Sequence, residues 1–116
     1  MESVEKRVAD LVIRDGLYYL IFDDVPFTGR ITGQEQGSFK GGKKYGLWVM
    51  HYRNGRVMSK ETYKDGKRCG TWAYYYESGQ LETGGTFKDG RKYGLWNYYD
   101  ESGRLLRSFN LGPYLP

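Results

Sequence analysis

From Gly46 onward, apolar and polar positions recur with a period of 24 residues. Three segments align without a gap: GLWVMHYRNGRVMSKETYKDGKRC from Gly46, GTWAYYYESGQLETGGTFKDGRKY from Gly70, and GLWNYYDESGRLLRSFN from Gly94. Trp48, Trp72 and Trp96 share one position, Gly55, Gly79 and Gly103 another, and Val57, Leu81 and Leu105 a third. Phe39, Tyr63 and Phe87 coincide, as do Gly42, Gly66 and Gly90. Inside each unit the apolar residues alternate at strand spacing, and a glycine-bearing turn falls every ~12 residues. Glycine recurs too often for a helix of ordinary length. The pattern predicts an all-β, single-layer antiparallel meander of β-hairpin repeats, about three regular ones after a degenerate N-terminal unit. One domain, 1–116, is expected, with a cap unit over 1–36, regular repeats over 37–109 and a tail over 110–116.

The turns and faces follow from the same register. Asn54-Gly55, Asp65-Gly66 and Asp89-Gly90 are strong hairpin signals. Gly55, Gly79 and Gly103 are expected at positive φ. A two-residue turn at Asn54-Gly55 would pair Tyr52 with Val57 and Met50 with Ser59, and set Gly46 opposite Tyr63. Parity then places Trp48, Met50, Tyr52, Val57 and Tyr63 on one aromatic face, with Leu81 and Leu105 in the copies of Val57. The other face would carry His51, Tyr75 and Tyr99 among mixed residues. Trp72, with like neighbours on both sides, is expected to matter more to stability than Trp48 or Trp96.

The ends depart from the period. Gly16-Leu17-Tyr18-Tyr19 echoes Gly46-Leu47-Trp48, and Phe27 to Ile31 echoes Tyr52 to Val57 with altered spacing. Val8 to Ile13 fits a cap strand or a short helix. Pro113 and Pro116 would stop strand pairing at the open C-terminal edge.

Composition narrows the class. Seventeen glycines and twelve tyrosines stand against only three prolines, as tight turns joining aromatic strands require. No run of 18 apolar residues is present to span a membrane. One cysteine and one histidine exclude an internal disulfide and a multi-histidine or cysteine metal site, so no metal and no cofactor are expected. The opening stretch has no apolar signal region, so a cytoplasmic location is expected, a signal trimmed earlier being invisible to the sequence.

The phrase G-x-W-x-x-Y-Y-x-x-x-G-x-L followed by Y/F-K-D-G-K resembles the variant MORN repeat of bacteria. Arg14-Asp15-Gly16-Leu17-Tyr18-Tyr19, with Asp24-Val25-Pro26-Phe27-Thr28-Gly29 after it, is similar to the opening of the YwqK-like antitoxin family. The resemblance spans roughly residues 11–109. It implies an elongated single-layer sheet that binds a partner and has no catalytic activity. Asp100 departs from it, since Tyr52 and Tyr76 predict tyrosine there.

Two surfaces could carry binding. The tyrosines Tyr74, Tyr75, Tyr76, Tyr98 and Tyr99, with His51 at the end of their stripe, offer area at low rotamer cost. The bland alternative is that the rings are the fold's own core, and a second copy covering them is a third option. The phrases KGGKK, KDGKR and KDGRK gather Lys40, Lys43, Lys44, Lys64, Lys67, Arg68, Lys88, Arg91 and Lys92 on one edge, half of the chain's 18 basic residues. A net charge of +4 and the absence of a nucleic-acid motif make nucleic acid an unexpected partner. Solubility and protection from edge aggregation explain the lysines equally.

Catalysis is poorly supported. Glu61, Glu77, Glu82, Asp100 and Glu101 are scattered, His51 occupies a tyrosine position, and Cys69 replaces Tyr45 and Tyr93. Lys43-Lys44 after Gly41-Gly42 lacks the rest of a phosphate-binding loop. The residues therefore point to a non-enzymatic protein-binding module, and the resemblance adds a toxin as its partner. The alternative is a structural module that binds anionic lipid or polysaccharide.

Overall fold

Two kinds of turn alternate along the chain, and their difference decides which side chains share a face. The computed structural model describes residues 5–112. After a 3₁₀ turn at Val8–Asp10 come β1 (Leu11–Arg14), β2 (Leu17–Leu20), β3 (Gly29–Ile31), β4 (Glu35–Lys40) and β5 (Lys43–His51). Then follow β6 (Val57–Lys64), β7 (Lys67–Arg68), β8 (Gly70–Tyr75), β9 (Leu81–Lys88), β10 (Arg91–Tyr99) and β11 (Leu105–Asn110). No α-helix occurs among the described residues. The sheet runs β3-β4-β5-β6-β8-β9-β10-β11, all neighbours antiparallel, with the short β7 also on β6. It is the expected hairpin meander. Pro113 and Pro116 lie outside the described residues.

The first kind of turn has two residues, both at positive φ. Asp65 and Gly66 lie at 50° and 81°, Asp89 and Gly90 at 51° and 82°. These are type I′ values, which match the right-handed twist of the strands they join. The second kind is one residue longer than Asn54-Gly55 suggested. Gly55 N–H donates to Tyr52 O and Tyr52 N–H to Arg56 O, with Gly55 at φ 88°. The same bonds recur at Tyr76–Gln80 and Asp100–Arg104, with Gly79 and Gly103 at 98° and 90°. This is a three-residue loop closed by a glycine bulge.

A further bulge follows each of these loops. Met50 still faces Ser59 and Gly46 faces Tyr63, but His51 faces Val57. Tyr75 likewise faces Leu81 and Tyr99 faces Leu105. Directly opposed residues share a face. Val57, Leu81 and Leu105 therefore leave the aromatic face and join His51, Tyr75 and Tyr99. Leu81 Cδ2 lies 3.6 Å from where a Cβ on Gly84 would stand, on that second face. One inserted residue is enough to flip a side chain.

The core gathers at the N-terminal end. Phe27, Ile31, Phe39, Trp48 and Tyr63 are buried there, with Leu11, Tyr18 and Leu20 packed on them. The β1–β2 hairpin thus lies over the aromatic face of β3–β5, its Tyr18 ring 4.8 Å from Phe39. Backbone bonds fix it: Tyr18 N–H to Gly42 O, Phe27 N–H to Tyr18 O, and Gly42 N–H to Phe27 O. The other end, β11, is exposed along its whole length.

Candidate partner-binding site

The aromatic face is built from tryptophan seats. Each of β5, β8 and β10 brings its tryptophan opposite one residue of the preceding strand. For Trp48 and Trp96 that residue is glycine, and the indole lies against the bare backbone. A Cβ on Gly37 would stand 2.1 Å from the Trp48 ring, and one on Gly85 2.2 Å from Trp96. Both indole N–H groups donate to a backbone carbonyl, Ser38 O and Thr86 O, each at 3.2 Å. Both rings are 1% exposed.

The middle seat is different. Glu61 occupies the position of Gly37 and Gly85, so Trp72 cannot lie down. Its Nε1 donates to Glu61 Oε1 at 3.1 Å. Its ring instead stacks on Tyr74, 5.9 Å away at 17°, and leans on Trp96 at 5.5 Å. Trp72 stays partly exposed. The register makes Trp72 the ring expected to matter more to stability than Trp48 or Trp96, yet it is Trp48 and Trp96 that hold the buried seats. Glu61 is 5% exposed, accepts the Tyr63 hydroxyl, and faces Arg68 Nε at 3.5 Å. Burial, followed by Glu61's hydrogen bond and charge, pushes the Tyr63 hydroxyl from 10.0 up to about 12. Sequence reasoning left Glu61 among scattered acids. The signal was present, since a carboxylate stands in the glycine position of the 24-residue register.

The candidate tyrosines divide by role. Tyr76 donates its hydroxyl to Tyr99 O at 2.7 Å, and Tyr52 donates to Tyr75 O. Each ties a repeat to the next. Asp100 ends this series by turning inward on its own loop, accepting from Ser102 N–H, Ser102 Oγ and Arg104 N–H. The Ser102 hydrogen bond, then that of Arg104, holds its carboxyl below the usual carboxylate range. Tyr74 belongs to the tryptophan face, and Tyr98 packs against Phe109 at 5.8 Å. Tyr75, Tyr99 and His51 stand on the second face, each opposite an aliphatic residue. His51 Nδ1 lies 3.3 Å from Gln34 O, at a hollow of about 460 Å³ that Arg7, Val8 and Met58 also line.

The basic edge also divides. Lys44, Arg68 and Lys92 are opposite Phe39, Tyr63 and Phe87, which turns them onto the aromatic face. Lys44 Nζ sits 4.6 Å from the Trp48 ring centre and Lys92 Nζ 4.7 Å from that of Trp96. Arg68, in the middle repeat, lies over Phe87 and beside Glu61. The remaining six form like-charged pairs directly across the type I′ turns: Lys40 with Lys43, Lys64 with Lys67, and Lys88 with Arg91. Opposed like charges cost stability. Adjacent hairpins are linked at this edge, where Gly66 N–H donates to Lys44 O and Gly90 N–H to Arg68 O.

Among the described residues, no group of three or more histidine, cysteine, aspartate or glutamate side chains is placed to hold a metal ion. No helix among them is long and apolar enough to cross a membrane. Comparison with curated proteins and with solved structures returns no match. MORN repeats generally serve as structural binding modules rather than as catalysts. Residues 44–65 and 68–89 each match the family model described as MORN repeat variant, so the chain carries two adjacent repeats of this type across β5–β6 and β7–β9.

Proposed function

We propose that the chain is a non-enzymatic protein-binding module whose partner is a protein toxin that it neutralises. The observation that supports binding is the stripe of three cross-strand pairs, His51–Val57, Tyr75–Leu81 and Tyr99–Leu105, one per repeat on a single face. The β1–β2 hairpin covers the opposite face, so this stripe is not the seat of the main core. Tyrosine is among the residues on which interface binding energy concentrates. The toxin is supplied by the resemblance to YwqK-like antitoxins alone. A pull-down from the native host identifies the partner, and binding kinetics then test the surface. Replacing Tyr75 and Tyr99 together with alanine should raise the off-rate at least tenfold. An unchanged off-rate would remove the stripe from the interface, and a partner without toxic activity would remove the antitoxin role.

The three like-charged pairs favour a second reading, attachment to an anionic lipid or polysaccharide surface. Such attachment should weaken steeply with salt, whereas an aromatic protein interface should persist. Reversing Lys64, Lys67, Lys88 and Arg91 to glutamate should slow association with a protein partner and leave its off-rate nearly unchanged. Salt-sensitive binding to vesicles rich in phosphatidylserine, lost in that variant, would support the second reading instead.

A further inference from the structure

The exposed large apolar side chains of the described residues lie mostly at the two ends of the sheet. At the N-terminal end they surround a tip formed by Leu20 to Val25. Phe22 there is 96% exposed and sits at φ 71°, in the third position of a turn closed by Asp23 N–H to Leu20 O. Glycine is the residue suited to that position. A bulky residue there is an outlier, and such outliers concentrate at functional sites. The turn is held from both sides: Ile21 N–H donates to Asp10 O, and Arg14 Nη1 donates to Asp23 O at 2.7 Å. The backbone is thus fixed so that a phenyl ring projects into water, and Asp23 and Asp24 follow it in the chain.

At the C-terminal end the aromatic face runs out in an apolar hollow of about 410 Å³, lined by Tyr98, Leu106, Arg107 and Phe109. Its walls are the perpendicular rings of Tyr98 and Phe109, and Arg107 lies opposite Tyr98 on the open strand. The tip is apolar and is followed in the chain by two acids. The hollow is apolar with an arginine in its lining.

We propose that the Phe22 tip of one copy seats in the Tyr98–Phe109 hollow of a second copy, with Asp23 and Asp24 meeting Arg107. The two parts are at opposite ends of one molecule, so the contact is head-to-tail. Each copy can use both parts at once, and association can continue beyond a dimer. It leaves Tyr75 and the paired lysines uncovered. A contact of this size is weak, so it should be sought at high concentration.

Sedimentation velocity of the full chain from about 10 to 500 µM tests the proposal, a range suited to a small interface. The average mass should rise with concentration and fall back at high salt. Phe22→Gly and Leu106→Asp, each altering an exposed side chain, should both remain monomeric. Mixed in equal amounts they should form one complex that stops at two chains, because one variant keeps the hollow and the other keeps the tip. Phe22→Gly should also unfold at higher urea, since glycine is at ease where phenylalanine is strained. A wild-type chain that is monomeric throughout overturns the proposal. So does association by Phe22→Gly equal to wild type, which would assign the contact to a surface other than the tip. Failure of the mixed variants to pair overturns it as well, as does a lower urea midpoint for Phe22→Gly.

Discussion

The outer and middle tryptophan seats share one backbone and differ in the residue that the preceding strand sets against the indole. Where Gly37 and Gly85 face the indole, Trp48 and Trp96 lie flat, bond to a carbonyl and disappear from solvent. Where the preceding strand brings Glu61 instead, Trp72 is held off the sheet and a small polar cluster forms with Tyr63 and Arg68. The basic residue four positions before each tryptophan follows the same division: Lys44 and Lys92 cover an indole, while Arg68 turns to the carboxylate. A repeat array therefore need not spread its stability evenly. The register supplies equivalent positions, and the facing residue decides whether each is a hydrophobic seat or a polar one.

The largest test removes the rings. Trp48→Ala or Trp96→Ala should cost about 3–5 kcal/mol by urea unfolding, as for buried aromatics generally. Trp72→Ala should cost less than either, by about 1 kcal/mol or more, because part of the ring is already in water. Equal losses at all three would erase the comparison. Next, Gly85→Ala should cost about 3 kcal/mol, since its Cβ would overlap the Trp96 indole and overpacking of that kind is not relieved locally. The reciprocal change sharpens the point: in a Glu61→Gly background, Trp72→Ala should become more damaging by about 1 kcal/mol or more, the sign of direct coupling.

The polar seat has its own signature. The Tyr63 hydroxyl is raised to about 12, so it stays protonated in the folded chain after it would ionise in the unfolded one. Its contribution is fully present below pH 10 and is lost as pH rises towards 12, on the order of 2 kcal/mol. Urea midpoints of wild type and Tyr63→Phe between pH 9 and 12 check this. The wild-type advantage should shrink across that window. The smallest effect lies outside the seats: Gly79→Val should cost about 1 kcal/mol, because it strains a φ of 98° without a steric clash.

The turn phrases made the meander legible. Asp-Gly flanked by alternating apolar residues specifies a two-residue hairpin, and the 24-residue register carries that prediction along the chain. Asn54-Gly55 was ambiguous for a physical reason: glycine at positive φ ends a three-residue loop as readily as it forms a two-residue one. That single residue, with the bulge beyond it, moved Val57, Leu81 and Leu105 to the second face. Lys44, Arg68 and Lys92 were legible as basic and not as ring covers, since adjacent lysines at a turn point to opposite faces. The β1–β2 lid was hidden because its echo of the repeat suggested another pair of strands in line. Of the candidate binding residues, the stripe of Tyr75 and Tyr99 could be read from parity, whereas their aliphatic companions could not.

The lid at one end and the bare strand at the other also give the molecule a direction of growth. Almost all pairing is between neighbouring strands, so little chain must be searched before each contact forms, the condition for fast folding. The end that carries the lid is also the end that leaves the ribosome first. It can close its own core from residues before about position 64, and each later hairpin then finds a finished edge to pair with. A new 24-residue unit inserted just after Asn110 would meet the same edge that β11 now presents. At the other end it would have to displace the lid. Lengthening such a protein by duplication is therefore nearly free in one direction and disruptive in the other.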